Sequence, residues 1–466
     1  MSPAERTAAG PTRTAWNTPL AAPVGRARGA LRWGVSYGLT RRGMARAAAA
    51  GDAVARLESD RARQLSPHAD LDALRARGPV VPGALVWASA SHEAVTTILR
   101  SDAFVTAGGR DELPGPLGRV YQRLVDPWSA SVVDPPSMLA VDGEQHARYR
   151  RLVSRAFSAK AVMALEGRIE ERCEQLLDRL TDEARQRPGG LTDLVDRYAA
   201  QLPVAVIADI LGVPESMHDS LLEWGNGAAH MLDPALSWRD YRAAERGMRA
   251  LHVWFDQHLD DLRRAPGEDL LSSLVTVADA GDRLTPYELR MTGLLVLGAG
   301  FETTVNLIGN AVALLDAHPD QRDDLVAGRA SWATAVDEVL RYDAPVQNTF
   351  RIAARATEVV GVDLPEGAGV ILHLAGANRD PQVFEDPHRF DVRRANAGAH
   401  LAFSSGAHFC LGAALARREG EVALRALYAR FPDLAVAGPG ERRPTRVLRG
   451  FEHLPVRLGT PAVVPA

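Results

Sequence analysis

The chain has 466 residues, 46% of them hydrophobic and 24% charged, which is the balance of an ordinary soluble globular protein. A net charge of −4 excludes the strong basic field of a nucleic-acid-binding protein, and two cysteines exclude a disulfide framework. Because no run of 18 apolar residues occurs, no transmembrane segment is predicted and a cytoplasmic location is expected.

The first 50 residues form a basic leader, with eight arginines and one glutamate but without the apolar run of a signal peptide. We expect residues 1–50 to be partly disordered or to form a surface helix, ahead of one domain over residues 51–466. A second interpretation is a peripheral contact with a membrane surface or a partner, made by apolar residues spaced among the arginines. Those apolar residues are Leu31, Trp33, Val35, Tyr37 and Leu39.

From residue 51 onward the periodicity is mainly helical. Apolar residues at helical spacing predict helices over 91–100, 144–156, 160–187, 191–211, 216–231, 238–264, 286–317, 331–342 and 411–430. Short strand-like runs cover 80–87, 358–362, 369–374 and 454–458. The predicted fold class is therefore mainly α with a small β portion.

The segment over residues 286–317 predicts one long helix. Thr285 and Glu288 have the spacing of a capping box, with Pro286 at the first helical position, and Pro319 stops the pattern. At 1.5 Å per residue, such a helix is roughly 48 Å long. It is long enough to cross a whole domain.

The centre of this long helix is weak by composition. Gly298 and Gly300 each cost about 1 kcal/mol relative to alanine in a helix interior. Thr303 and Thr304 follow, and their hydroxyls can compete for backbone carbonyls. This pattern indicates a need for space or a bend at that point, and close helix packing over glycine is the alternative.

The two cysteines have different surroundings. Cys173 shares one helical face with Ile169, Leu176 and Leu177, so we expect a core position. Cys410 follows a loop of glycine and serine and immediately precedes an alanine-rich helix. The positive end of the helix dipole and its free N–H groups favour a thiolate there.

Four interpretations of Cys410 compete. An inert buried cysteine fits poorly because the loop lacks packing residues. A zinc site with His408 needs two more ligands, and no second cysteine is nearby. A nucleophile needs a well-placed histidine base, and His408 lies only two residues away on the same strand. Ligation of haem iron needs one thiolate alone, and this interpretation is favoured.

The loop resembles the haem-binding signature of the cytochrome P450 family. The matching positions are Phe403, Gly406, His408, Cys410 and Gly412. The sequence departs from the signature at Ser404, where the family usually has glycine. The resemblance extends from about residue 65 to residue 458. It implies the P450 fold as a single large domain, with haem b between the long distal helix and the proximal cysteine loop.

The resemblance also assigns roles within the long helix. Ala299 and Gly300 match the positions that leave a cleft for dioxygen over the iron. Thr303 matches the alcohol that delivers protons to the bound oxygen, and Glu302 matches the acid that relays those protons from solvent. Cys410 is implied as the axial ligand of the iron.

Two further sets of residues follow from the resemblance. His146, Arg150, Arg351 and His408 are implied as ligands of the haem propionates. In the first of these motifs, Gly143 replaces a usual proline. Separately, the Glu338–Arg341 pair matches a buried structural pair near the haem and is not expected to be catalytic.

The implied function is that of a haem-thiolate monooxygenase that inserts one atom of O₂ into a lipophilic small molecule. Electrons would come from a separate ferredoxin and ferredoxin reductase, and an acidic ferredoxin is expected to dock on proximal arginines. Those arginines are Arg148, Arg151, Arg155, Arg417 and Arg418. A peroxide-driven peroxygenase and a non-enzymatic haem sensor are alternatives. Five residues are candidates for the substrate pocket: Trp128, Leu295, Val346, Gln347 and Phe451.

Overall fold

The computed structural model describes residues 29–106, 131–186, 190–276 and 284–461, in which helices predominate. The helices, numbered in chain order, are α1 Leu39–Ala49, α2 Ala53–Ser59, α3 Arg61–Leu65, α4 His68–Ala76, α5 His92–Arg100, α6 Gly143–Val153, α7 Ala159–Gln186, α8 Gln201–Ile210, α9 His218–His230, α10 Trp238–Arg264, α11 Leu270–Thr276, α12 Pro286–Ala317, α13 Pro319–Val326, α14 Trp332–Tyr342, α15 Leu374–Ala377 and α16 Ala413–Arg430. The predicted fold class, mainly α with a small β portion, is confirmed.

The strands are short and lie in small sheets. They are β1 Val81–Pro82, β2 Trp87–Ser89, β3 Phe104–Val105, β4 Leu191–Asp193, β5 Thr349–Ala353, β6 Thr357–Val359, β7 Val362–Leu364, β8 Gly369–Leu372, β9 Ala435–Val436, β10 Glu441–Arg442, β11 Phe451–His453 and β12 Pro455–Arg457. The largest sheet has the order β1-β2-β8-β5-β3, and only its β2–β8 pair is parallel. In this sheet β5 carries Arg351 opposite Val370.

One predicted helix, over 191–211, is wrong in its first part. Residues 191–193 form β4, which pairs antiparallel with β12 near the other end of the chain. The backbone N–H of Leu194 also donates to the carbonyl of Leu454 at 3.0 Å. The distant C-terminal strand supplies the backbone hydrogen bonds that a local helix would otherwise make.

The long helix α12 begins at the predicted capping box. The Thr285 hydroxyl accepts from the Glu288 N–H at 3.2 Å, and the Glu288 carboxylate accepts from the Thr285 N–H at 2.7 Å. Glu288 also accepts from Tyr149 and Arg148, at 2.6 and 2.8 Å. The cap therefore also attaches α6 to the start of α12.

The interior of the protein is built around α12, which is buried along most of its length. Among the described residues, it is the helix whose length and composition would suit a membrane span, with a mean hydropathy of 1.4. However, 78% of that apolar window is buried inside the protein. A core helix that contacts protein on all sides has this composition.

The second half of the leader is helical and packs on the α9–α10 connection. Residues 29–33 are α-helical, and a π-helical turn over Gly34–Gly38 leads into α1. Tyr37 is buried in the main hydrophobic core, and its hydroxyl donates to the Met231 carbonyl at 3.2 Å. Residues 1–28 lie outside the described part of the chain, and the domain boundary at residue 51 remains a prediction.

Candidate active site

The loop before Cys410 is held in one conformation by backbone contacts. The Cys410 N–H donates to the Phe403 carbonyl at 2.9 Å. Gly406 has a φ of +69°, and a Cβ at that position would lie 2.3 Å from the Leu99 carbonyl oxygen. Glycine is therefore required here because the loop presses against the end of α5.

Ser404, the departure from the signature, adopts a left-handed backbone with a φ of +63°. Its N–H donates to the Leu401 carbonyl at 2.8 Å, which closes the turn. Its hydroxyl is buried and has no hydrogen-bond partner among the described residues. This geometry explains why glycine suits the position better than serine.

Cys410 is accessible to solvent, whereas Leu401, Ala402 and Phe403 earlier in the loop are buried. Burial among protein atoms raises the pKa of its thiol, and the Gly412 N–H and nearby arginines lower the pKa only in part. A coordinated metal ion would remove the thiol proton.

The centre of α12 interrupts an otherwise buried helix. Ala299 is exposed, and Gly298, Gly300 and Thr303 are partly exposed, although the residues on both sides are buried. A Cβ on Gly298 would meet nothing within 4 Å, so this side of the helix faces open space. The Thr303 hydroxyl donates to the Ala299 carbonyl at 3.1 Å, and these two residues share a face of the helix that is open to solvent in part.

The two central glycines have different surroundings. A Cβ on Gly300 would lie 3.0 Å from the side chain of Ile207 on α8. Gly300 therefore permits close helix packing, the alternative left open by the sequence, whereas Gly298 faces open space. Both explanations apply, each at its own residue.

Glu302 lies next to Thr303 and is 2% exposed. Burial raises the pKa of its carboxyl, and the positive charges of Arg443 and His230 oppose that increase. Arg443 Nε lies 3.1 Å from Glu302 Oε1. The acid beside the threonine is thus a buried group with a cationic neighbour.

Four basic side chains predicted to bind propionates lie near one another. The rings of His146 and His408 are 4.1 Å apart, and the positive charges of Arg150 and Arg351 reach His146. Burial, together with these cations, lowers the pKa of His146 to about 4. A cluster of this kind is stabilised by an added anion.

One carboxylate, Asp142, already binds within this cluster. Asp142 Oδ1 lies 2.9 Å from His408 Nε2, and its other oxygen accepts from the N–H and hydroxyl of Thr106, each at 2.8 Å. Burial raises the pKa of Asp142, but the hydrogen bonds from His408 and Thr106 outweigh it and lower the pKa to about 2. One carboxylate leaves room for further anionic groups among four basic side chains.

The residues present therefore fit haem. Cys410 offers one accessible sulfur, the basic cluster suits two propionates, and the centre of α12 is exposed in part around Ala299. Within the described ranges, no group of three His, Cys, Asp or Glu side chains offers a competing metal site. A zinc site at His408 and Cys410 accordingly has no further ligands there.

Glu338 and Arg341 form a fully buried pair. Arg341 donates to both carboxylate oxygens of Glu338, at 2.7 and 2.8 Å. It also donates to the carbonyls of Asn378, Pro387 and Arg389 at 2.9 to 3.0 Å. This pair fixes the long loop between α15 and α16 and touches none of the candidate catalytic groups.

The candidate substrate residues lie at separate places. Leu295 packs in a small apolar cluster with Met138, whereas Phe451 packs near Gly309, roughly 21 Å further along α12. Two neighbours on the chain, Val346 and Gln347, pair with the 447–448 segment. Trp128 lies outside the described residues.

Three residues near the site were missed by the sequence reasoning: Asp142, Asn306 and Arg443. Asp142 stands before a predicted helix, where an acidic residue is ordinarily only a cap. Arg443 is one of many arginines and carries no local signal. Asn306 could have been found, since a polar amide interrupts an apolar stretch one turn after Glu302.

Comparisons with known proteins agree with this geometry. The family model described as Cytochrome P450 matches residues 118–327 and 333–436. Cytochrome P450 140 of Mycobacterium tuberculosis is 45% identical over 92% of this chain and 97% of its own length. The 6-deoxyerythronolide B hydroxylase of Saccharopolyspora erythraea is 39% identical, over 83% of this chain and 94% of its own.

Solved structures give the same result. CYP164A2 of Mycobacterium smegmatis in its ligand-free state has a TM-score of 0.76 and 34% identity, over 87% of this chain and 99% of its own. P450BioI, in complex with an acyl carrier protein carrying hexadec-9Z-enoic acid, has a TM-score of 0.76 and 31% identity, over 85% of this chain and 100% of its own. The chain therefore belongs to the cytochrome P450 family of monooxygenases, which bind haem through a proximal cysteine.

Proposed function

We propose that this P450 inserts one atom of O₂ into a lipophilic small molecule in the cytoplasm, with electrons from a separate ferredoxin and ferredoxin reductase. The observation that carries the proposal is the partly exposed centre of α12, where the partly exposed Thr303 has the buried Glu302 beside it. A haem protein that only binds or senses ligands has no need of this acid–alcohol pair.

The site residues have two separate roles, which are haem binding and proton transfer. Haem, when bound, supplies the iron that activates dioxygen. Cys410 would hold the iron, and His146, Arg150, Arg351 and His408 would hold the propionates. Thr303 passes protons to the oxygen side of the site, and Glu302 resupplies them.

Two measurements test this assignment. In the reduced holoenzyme, carbon monoxide should give the strongly red-shifted Soret band of thiolate ligation, and Cys410→Ala should abolish it. Thr303→Ala should keep that band, release hydrogen peroxide and lose product. Ligand binding with no turnover by the native enzyme would instead indicate a sensor, and full turnover with peroxide alone would indicate a peroxygenase.

The substrate class rests on the relatives. One is named as a Vitamin D(3) 25-hydroxylase and another as a 6-deoxyerythronolide B hydroxylase. Titration with sterols, polyketide lactones and fatty acids, followed by the shift of the Soret band to high spin, identifies the class. A preference for small hydrophilic compounds would contradict the proposal.

Docking of an acidic ferredoxin is assigned to the end of α6 and the 154–157 turn that follows it. Arg148 pairs with Glu288, and Arg418 pairs with Glu166. Arg151 at the end of α6 and Arg155 in the turn are exposed.

The double variant Arg151→Glu with Arg155→Glu should slow electron transfer and reduce its salt dependence. Arg41→Glu with Arg42→Glu makes the same charge change on α1 and should have no effect. Equal rates in the two double variants would exclude docking on α6.

A further inference from the structure

Two polar side chains on α12 are buried with few polar contacts. Glu302 and Asn306 lie one turn apart, so they share a face of the helix, and they are 2% and 0% exposed. Apart from the ion pair of Glu302 with Arg443, neither carboxylate oxygen of Glu302 and neither amide atom of Asn306 has a hydrogen-bond partner among the described residues. Buried groups of this kind are rare in proteins and are ordinarily satisfied by ordered water.

A solvent-open pocket lies directly beside these two side chains. Its wall includes Arg443, whose Nε is 3.1 Å from Glu302 Oε1. The wall also includes Gly450, where an added Cβ would lie 1.8 Å from Asn306 Oδ1. Because Gly450 has no side chain, the backbone of the pocket wall reaches Asn306 directly.

The other pocket arginines are held away from Glu302. Arg442 and Arg449 bind Asp343, and Arg446 binds Asp233. Arg61 is anchored by backbone carbonyls of the 442–445 turn. Among the lining arginines, Arg443 is thus the one whose ion pair reaches α12 at Glu302.

We propose that this pocket is the proton inlet of the enzyme, in which water passes Arg443 and Asn306 to reach Glu302. Arg443 is a positioning residue that holds the Glu302 carboxylate at the inner end of the inlet. The inference rests on the proposed function, because only oxygen activation consumes protons at Thr303.

The overall reaction determines how many protons must pass through the inlet. Insertion of one oxygen atom into a C–H bond consumes O₂, two electrons and two protons, and it yields the alcohol and water. The electrons come from the redox partner, so the inlet carries protons alone. Each proton that Glu302 passes toward Thr303 is replaced from pocket water, and bulk solvent restores the charge balance.

The charges that face Glu302 come from three elements. They are Arg443 after β10, His230 at the end of α9 and Glu452 on β11, and only Glu452 raises the pKa of Glu302 by its charge. Without the charge of Arg443, the pKa-raising effects of burial and of Glu452 are less compensated. The pKa of the Glu302 carboxyl should therefore rise further.

Arg443→Gln in the holoenzyme tests the positioning role. The infrared carbonyl band of protonated Glu302, assigned by its loss in Glu302→Gln, should titrate at higher pH by about one unit or more. The solvent deuterium isotope effect on turnover should also increase. Arg355→Gln removes an equal charge outside the pocket, at an exposed ion pair with Asp102, and it should change neither quantity. Equal behaviour of the two variants would overturn the positioning role.

Asn306→Leu tests the water path, since leucine has a similar volume and carries no hydrogen-bonding group. We expect roughly threefold more hydrogen peroxide per electron and a larger solvent isotope effect, with the carbon monoxide band unchanged. Gly450→Ala, which displaces Asn306, should act in the same direction and serves if Asn306→Leu does not fold. If a folded variant kept the native yield of hydrogen peroxide per electron and the native solvent isotope effect, the inlet would lie elsewhere. If Thr303→Ala also failed to uncouple the enzyme, the proposed function itself would be at fault.

Discussion

Ser404 has a backbone conformation that favours glycine over a residue with a side chain. A non-glycine residue in the left-handed region costs about 1–2 kcal/mol, and a buried hydroxyl without a partner adds to that. Ser404 has both features, with a φ of +63° and an unpaired hydroxyl. The next residue, Ser405, has an extended backbone, and its hydroxyl accepts from Arg100 Nε at 2.8 Å.

Ser404→Gly should therefore stabilise the protein by about 1 kcal/mol, since relief of strain exceeds the extra chain entropy of glycine. The measurement is the unfolding midpoint of the holoenzyme in denaturant. Ser405→Gly is the matched control and should lower the midpoint, because it removes the hydrogen bond to Arg100. A loss of stability in Ser404→Gly would contradict this account.

His146 makes the stability of the haem-free protein depend on pH. Its pKa falls from 6.5 to about 4 on folding, so the unfolded chain binds the extra proton between these values. Stability is then complete above pH 6.5 and decreases as the pH falls toward 4. His146→Gln should flatten the stability profile in this window, whereas His453→Gln at an exposed site should not. Equal slopes in all three proteins would show that His146 is not responsible.

The residues that could be predicted from sequence were those whose signal is local. Cys410, His408 and Gly406 lie within five positions, and Glu302 lies beside Thr303. By contrast, Asp142 contacts His408 from 266 positions away, and no local pattern encodes such a pair. The pairing of Arg443 with Glu302 could not be predicted either, because these residues are also far apart in the chain.

The Glu338–Arg341 pair attaches the helix α14 to the long loop between α15 and α16. Both side chains are fully buried, and Arg394 Nε also lies 3.3 Å from Glu338. Glu338→Ala leaves Arg341 as a buried charge without its carboxylate and should cost about 3–5 kcal/mol. Thermal unfolding measures the loss.

The control for this variant is Asp260→Ala on α10. Asp260 also pairs with an arginine three residues away, Arg263, but both side chains are exposed. The expected cost is below about 1 kcal/mol. Similar losses in the two variants would mean that burial does not determine the strength of the Glu338 pair.

Elements with strong local signals were also the ones found from the sequence. The capping box located the start of α12, and α10 has the predicted bounds over 238–264. β5 was missed and β4 was taken for helix, because each is defined by a distant partner strand. Arg351 was therefore assigned to the propionates without the strand that carries it.

At the scale of the whole molecule, the helical segment before residue 50 attaches two distant connections. Arg32 forms an ion pair with Asp134, which lies in the connection before α6. Trp33 Nε1 donates to the Leu236 carbonyl at 2.9 Å, and Tyr37 binds Met231. The α9–α10 connection is thus secured from outside the predicted domain boundary.

Removal of residues 1–49 should destabilise the protein by about 3 kcal/mol through the loss of buried aromatic surface. It should also speed protease cleavage in the 231–236 connection. Removal of residues 1–28 alone keeps Arg32, Trp33 and Tyr37 and is the control. If both truncations had the native unfolding temperature, the packing of Tyr37 would contribute nothing.

The same attachment has a consequence for the order in which the molecule forms. Trp33 and Tyr37 find their partners 203 and 194 positions later in the chain. At the usual rates of translation, those partners leave the ribosome roughly 10–40 s after the segment itself. During that interval the aromatic side chains have no native surface to cover. The first part of the chain to be made is therefore among the last to be secured.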